Sequence, residues 1–297
     1  MAVLQYVTQF DARIRDLYGH ELISDALFHS NEDIQIKGAK EIKIPRLSVS
    51  GYKDHTRAAG YNAGNYSNDF ETKTLDHDRD IEFVIDPMDV DETNQIVSIA
   101  NVQVRFERKQ AIPELDCYTF SKLYAEASRV GATIKNTTIT AENILSDFDD
   151  NCEAFEDAGV PLSRCILYCT AAYKKALKNA EGIQRTLEVS GGSKGLDRRI
   201  HTLDDLKEIK VVPLERFKTA YDFTEGYTAD ATGKQINYIL VDPEAQVSRV
   251  KYAYINTYTP GHDSRVADNY MYQNRRYNGT FALDEELKQA CIINAEA

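Results

Sequence analysis

The 297-residue chain has no tryptophan, and no stretch approaches 18 consecutive apolar residues. The lack of such a run excludes a transmembrane helix. The N-terminus MAVLQYVTQFDARIRDLYGHEL has no basic region leading into an apolar one, because Asp11 and Arg13 interrupt it early. A signal peptide is therefore not expected, and the sequons at Asn65, Asn136 and Asn278 carry no weight. Basic residues are in deficit: 35 Lys and Arg face 47 Asp and Glu, a net charge of −12. Dedicated nucleic-acid binders and polybasic membrane-surface proteins need the opposite balance. Cysteines are few and odd in number (Cys117, Cys152, Cys165, Cys169, Cys291), with no second close pair or nearby histidine to build a zinc site. They read as free, mostly buried thiols in a reducing compartment. The six histidines (His20, His29, His55, His77, His201, His262) form no i, i+4 pair with a third ligand, so neither a metal nor a cofactor is expected.

Tyrosine, by contrast, is abundant, with 18 copies. Its apolar body and hydrogen-bonding tip suit surfaces half buried in a partner. The first predicted element is a helix: Val3, Val7, Phe10, Ile14, Leu17 and Tyr18 recur at three- and four-residue spacing. Such a stripe must dock on its own domain or on a neighbour. The stretch Lys40–Pro45 alternates and is expected to stop at Pro45. The polar loop GYKDHTRAAGYNAGNYSND follows, and FETKTLDHDRDIEFVID reads as one long strand. Together these predict a long β-hairpin whose tip cannot make a core of its own and belongs over another subunit.

Acidic residues crowd a helix start at Asp89, Asp91 and Glu92; Ile96, Val97, Ala100 and Val104 mark one face; and Arg105, Arg108 and Lys109 close it. This charge order suits the helix macrodipole, and a length of about 20 residues corresponds to roughly 30 Å. After Pro113 a second helix is predicted to start near Leu115. Further on, the pattern predicts a helix over 140–156, a strand over 165–169, a helix in AAYKKALKNA and a strand leading into a Gly-rich loop over 186–199. It then predicts strands at 209–214, 236–241 and 252–258, and closing strand-like and helix-like pieces in FALDEELKQACIIN.

Three segments imitate chemical motifs. Asp76-His77-Asp78-Arg79-Asp80 opens like a calcium loop, but the sixth and twelfth positions are Ile81 and Pro87 instead of Gly and Glu. Gly191-Gly192-Ser193-Lys194-Gly195 fits the nucleophile-elbow pattern, with His201, His262 and Asp242 as formal triad partners. An elbow needs a helix directly after the serine on a parallel sheet, and Leu196-Asp197-Arg198-Arg199 begins no such unit. A serine hydrolase using Ser193 is thus a remote alternative. The same segment lacks the Lys-Ser/Thr ending of a P-loop.

An ordered set of segments carries a resemblance. It comprises Ile44-Pro45, Gly51-Tyr52, Arg57, Gly60-Tyr61, Gly64, Phe70-Glu71-Thr72-Lys73-Thr74-Leu75, Asp78-Arg79, Phe83-Val84-Ile85-Asp86 and Met88-Asp89-Val90-Asp91-Glu92. The later pieces Ile112-Pro113-Glu114-Leu115-Asp116-Cys117-Tyr118, Lys210-Val211-Val212-Pro213 and Tyr272–Gly279 follow in order. The set resembles the major capsid proteins of tailed bacteriophages, with the Hong Kong 97-type fold, over most of the chain. The resemblance implies an α+β chain with an N-terminal arm (1–38), an extended loop (39–86), a peripheral domain with a long spine helix (87–135 and 246–297) and an axial domain (136–245).

It implies a non-enzymatic protein that assembles with itself into pentamers and hexamers. These would form an icosahedral head around phage double-stranded DNA, without sequence-specific DNA contacts, in a virion assembled in the host cytoplasm. A portal protein is an implied partner. The predicted arm helix starts at Val3, leaving no room for the scaffolding extension of some relatives, so a separate scaffolding protein is expected. Lys53 lies where some relatives carry a crosslinking lysine, but its partners are not identifiable. An encapsulin-type bacterial compartment is the alternative with the same fold. Residues 71–92 hold nine acids and two bases, −7 of the net −12. That concentration is expected to set register against basic groups of an adjacent subunit. The candidate interface residues are Phe10, Ile14, Arg57, Tyr61, Glu71, Asp78, Arg79 and Asp80.

Overall fold

A computed structural model of the chain describes residues 22–28, 41–55, 61–92, 98–180, 203, 205–261 and 268–296. The expected N-terminal helix with Phe10 and Ile14, together with Arg57 and the 186–199 segment with Ser193, lies outside the described residues.

The hairpin forms, with two departures from the sequence reading. Strand β1 (Glu41–Val49) pairs antiparallel with β2 (Tyr66–Thr74), in register from Glu41 opposite Thr74 to Val49 opposite Tyr66. β1 runs straight through Pro45, which was expected to end it. Both strands of a two-stranded ribbon are edge strands, where a missing N–H can face outward. The stretch expected as one long strand is two: β2 ends at Thr74, and β3 (His77–Ile85) starts in a different sheet. The break is Leu75-Asp76. Leu75 is buried against Ile44 and Phe281, in space left by Gly279, where an added Cβ would lie 2.6 Å from the Leu75 side chain. Asp76 accepts hydrogen bonds from Tyr118 (2.5 Å) and Lys122 (2.5 Å).

Two short helices, α1 (Asp25–Phe28) and α2 (Pro87–Glu92), flank this region in the chain. The long helix α3 follows in three parts: α-helical Ile99–Phe106, a π turn over Glu107–Ala111 and α-helical Ile112–Val130. The sequence predicted a break at Pro113, but the helix continues. A mid-helix proline removes a hydrogen bond and clashes with the carbonyl four residues back. The π turn directly upstream resets the ladder, so Pro113 takes a first-turn position where it is tolerated. The helix spans about 48 Å at 1.5 Å per residue and ends at Gly131, whose φ of 74° is left-handed.

β3 forms the edge of a three-stranded antiparallel sheet with β10 (Gln246–Tyr258) and β11 (Tyr270–Ala282), in the order β10-β11-β3. One face of this sheet packs on α3. The second sheet has the order β4-β12-β9-β5-β6. It uses β4 (Thr133–Lys135), β5 (Ile166–Thr170), β6 (Glu208–Val212), β9 (Ile236–Val241) and β12 (Cys291–Ala295), and a small hairpin of β7 (Tyr221–Asp222) and β8 (Thr228–Ala229) stands apart. Both of its faces are covered, so its strands read as continuous apolar runs. Ile166, Tyr168, Ile239, Val241 and Ile293 pack with Phe120 and Leu123 of α3. Leu167, Cys169, Tyr238, Leu240 and Ile292 pack with α4 (Ile144–Asp157) and α5 (Ala171–Asn179). Helix α6 (Asp284–Gln289) connects β11 to β12, and this last strand of the chain lies inside the five-stranded sheet between β4 and β9. All five cysteines are free thiols; burial pushes Cys117, Cys165, Cys169 and Cys291 up to about 12, away from thiolate chemistry.

Candidate assembly surface

The outer half of the β1–β2 ribbon has no covered face. Successive strand residues point to opposite sides, yet every described residue from 47 to 70 is exposed. Leu47, Val49, Tyr52, Tyr61, Tyr66 and Phe70 are among them, and Tyr52 and Tyr61 are fully exposed. Backbone and small polar bonds hold the shape instead. Ser50 N–H donates to Asn65 O (2.9 Å), the Ser48 and Ser67 hydroxyls meet at 2.6 Å, and the Asn62 amide donates to Asp54 O (2.8 Å).

The root of the ribbon is pinned. Lys73 pairs with Glu71 (2.5 Å) and reaches Asp284 (3.4 Å), and Asp284 is also gripped by Arg129 (2.5 Å), which holds Glu126 (2.8 Å). The hydrogen bond from Arg129, with Lys73 beside it, holds the Asp284 carboxyl below its ordinary range.

The three-stranded sheet presents the acidic residues. Asp78, Asp80, Glu82 and Val84 alternate outward on β3, and His77, Arg79, Ile81 and Phe83 turn toward α3. Asp78 takes a two-pronged grip from Arg275 (2.7 and 3.1 Å), and Glu82 accepts from the Gln273 amide (2.6 Å). On the inner face, Arg79 donates to Glu114 (2.7 Å) and to the carbonyls of Phe223 (2.5 Å) and Gly226 (3.4 Å). His77 stacks on Tyr118, with ring centroids 4.1 Å apart, and meets the edge of Phe223. Burial pushes the imidazole down to about 4, helped by the Arg79 charge, so His77 is neutral near pH 7 although Glu114 lies 3.6 Å away.

Of the interface candidates read from sequence, Tyr61 thus lies at the ribbon tip, Glu71 at its root, Asp78 and Asp80 on the open sheet face, and Arg79 inside, bracing β3 against α3 and the β7–β8 hairpin.

Two buried charge centres were not among those candidates. Glu107, in the π turn, is fully buried and accepts from Tyr272 (3.0 Å), Asn274 (2.6 Å) and Arg276 (3.0 Å). Burial raises its carboxyl, against the pull of Arg276. Asp116 is likewise buried and accepts from Ser24 N–H (3.0 Å), the Ser24 hydroxyl (2.8 Å) and Arg216 (3.2 Å), fastening the segment before α1 to the long helix. Burial raises Asp116 too. A sequence signal existed for Glu107: with Ala100 and Val104 it falls at i, i+4, i+7, a charge in phase with an apolar face.

No family model matches the chain, and no curated protein matches it. Solved structures do. A chain from the asymmetric unit of the bacteriophage PhiM1 mature capsid matches with a TM-score of 0.61 at 13% identity, over 87% of this chain and 82% of that one. The capsid structure of cyanophage P-SCSP1u gives 0.61 at 10% identity, over 91% and 86%. This chain has the fold of phage capsid subunits. The resemblance read from the sequence therefore holds at the level of fold. The same capsid fold also matches the virus-like particle from Pyrococcus furiosus, with a TM-score of 0.53 at 11% identity over 97% and 99% of the two chains. Among the described residues of this capsid-fold chain, no helix is long and apolar enough to cross a membrane.

Proposed function

We propose that this protein is the major capsid protein of a tailed bacteriophage, of the Hong Kong 97 type. Copies assemble into pentamers and hexamers and close into an icosahedral head around double-stranded DNA. The observation that carries this reading is the ribbon: a paired, shaped and rooted β-hairpin whose outer half leaves Leu47, Val49, Tyr66 and Phe70 exposed together on one face. Such a surface is stable when a partner covers it, and heterologous contacts between copies close into rings. The parts follow the family plan: an arm over 1–38, the extended loop over 39–86, a peripheral domain over 87–135 and 246–297 in which α3 is the spine helix, and an axial domain over 136–245 whose sheet β12 completes. The role is structural, not catalytic. The portal and a separate scaffolding protein are the working partners, and the head is built in the host cytoplasm and resides in the virion.

Negative-stain microscopy of the purified chain and of lysate tests the reading. Closed shells tens of nanometres wide are expected, and a chain that stays monomeric under all assembly conditions refutes it. Uniform shells from this chain expressed alone remove the need for a separate scaffold. Reversing the acidic face with Asp78→Lys and Asp80→Lys is expected to lower shell yield while the chain stays folded by circular dichroism. Wild-type yield from that double variant excludes a role for these acids between subunits. An encapsulin-type compartment is the second reading, favoured by the end-to-end match to the Pyrococcus furiosus particle. Protein cargo inside purified shells, with no DNA, decides for it.

A further inference from the structure

Phe217 and Ile236 are fully buried and bonded to each other, Ile236 N–H donating to Phe217 O (3.0 Å). Between them the chain makes an excursion over residues 218–235, which carries the β7–β8 hairpin and in which no residue is buried. The excursion nevertheless has a shape of its own. Its neck is closed by Thr219 N–H to Lys234 O (2.9 Å) and by Lys234 N–H to the Thr219 hydroxyl (2.9 Å). Asp222 accepts from Thr224 N–H (2.9 Å) and Asp230 from Thr232 N–H (2.7 Å), each setting a turn. Gly233 packs so closely in the neck that an added Cβ would sit 2.6 Å from Ala220 O. A segment shaped by internal hydrogen bonds that buries no side chain lifts as a unit at little cost, because few apolar contacts are lost.

The excursion lies across α3 and is held there at few points. Arg79, itself fixed by Glu114 (2.7 Å), donates to Phe223 O (2.5 Å) and Gly226 O (3.4 Å). The Phe223 ring meets His77 edge-on, with centroids 5.2 Å apart, and Tyr118 at 6.0 Å. The Tyr227 hydroxyl donates to Lys109 O (3.3 Å). Packing is open on either side of this seam. One cleft of about 370 Å³ adjoins the hairpin tip at Glu225 and Gly226, and another of about 430 Å³ lies between Tyr221, Phe223 and the α3 residues Tyr118 and Lys122. Beneath the hairpin, the fully buried Cys117 thiol of α3 meets the Tyr221 hydroxyl and Glu215 O (3.9 Å).

We propose that residues 218–235 form a flap, hinged at Phe217 and Ile236 and latched by Arg79 and Phe223. Its opening joins the two clefts into one groove along α3, lined by His77, Arg79 and Tyr118, and uncovers Cys117. The three-stranded and five-stranded sheets stay closed, since the flap contributes no strand to either. The device belongs to the single chain and goes beyond the shell reading: it operates in the unassembled protein.

Thiol alkylation of the unassembled full-length chain, read peptide by peptide by mass spectrometry, tests it. Cys117 and Cys291 are both buried, the latter in β12 of the five-stranded sheet. Cys291 therefore reports opening of the core, and Cys117 opening of the flap. Cys117 is expected to react at least about tenfold faster than Cys291, because local opening costs less than global unfolding. Phe223→Ala removes the ring contacts of the latch and should raise the ratio of the two rates by a further factor of about two to ten. Arg79→Met should raise it as well. Phe223→Ala leaves no buried charge unpaired, so it decides the question even where Arg79→Met, which strands Glu114, fails to fold. Equal rates at the two cysteines in the wild-type chain, or a ratio that Phe223→Ala leaves unchanged, overturn the flap.

Discussion

The ribbon and the five-stranded sheet both rest on strand pairing, antiparallel in the ribbon and mixed in the sheet, where β4–β12 and β5–β6 run parallel, but to opposite ends. In the sheet, all five residues of β5 are buried, as are all but one of the six in β9, with helices on both sides. In the ribbon, nine pairs of residues are in register, and the outer half buries nothing. Each fully buried large side chain contributes about 1.5–3 kcal/mol, and an isolated two-stranded hairpin is marginal in water. Strand pairing shapes both regions, but burial decides which one is stable alone. The sheet is a finished core; the outer half of the ribbon leaves its apolar side chains in solvent.

That contrast can be broken from the core side or sharpened from the ribbon side. The largest effect is expected from Glu107→Ala, which strands Arg276 inside the protein; breaking a buried pair costs about 3–5 kcal/mol, to be read as a loss of stability in urea unfolding of the unassembled chain. Leu123→Ala removes a fully buried side chain beneath the sheet and is expected to cost about 2–5 kcal/mol in the same assay.

His77 supplies a pH dependence. Its folded value of about 4 lies below its ordinary 6.5, so the unfolded chain binds the proton better. Its stabilising contribution is complete above pH 6.5 and is lost as pH falls toward 4, by up to about 3 kcal/mol. The drop in stability between pH 7 and 4.5 should be smaller in His77→Phe, which keeps the ring stack; an equal drop rules this out. The smallest effects belong to the ribbon. Val49→Ala and Tyr52→Ala should change the stability of the unassembled chain by less than about 0.5 kcal/mol while reducing shell yield. A large loss of monomer stability from either would erase the distinction between the two regions.

Much of the element order was legible because local patterns encode it. The strand INYILV is β9 residue for residue, and AAYKKALKNA contains α5. The ribbon was legible from its polar, glycine-rich tip between alternating segments. The misreadings share one cause. Pro45, Pro113 and the Leu75-Asp76 step are local signals overruled by neighbours distant in sequence. A free ribbon edge tolerates one proline and a π turn the other, while Gly279 and Phe281, some 200 residues on, draw Leu75 inward and end the strand.

The site divides the same way. Exposed residues such as Tyr61 and Asp80 could be read from polarity and position, because solvent imposes few further conditions on them. Glu107, Asp116 and Arg276 could not be assigned roles, because a buried polar group is defined by the partner that satisfies it, and those partners come from other segments of the chain. By itself the sequence determined the order of the elements, the acidic stretch over 71–92 and a hairpin too polar to fold on itself. Only the tertiary structure decided that the long helix runs through its proline, that the closing strand enters the middle of a sheet, and that Glu107 and Asp116 are buried with their partners. Periodicity and charge are properties of neighbours along the chain, whereas burial and hydrogen-bond satisfaction are properties of neighbours in space.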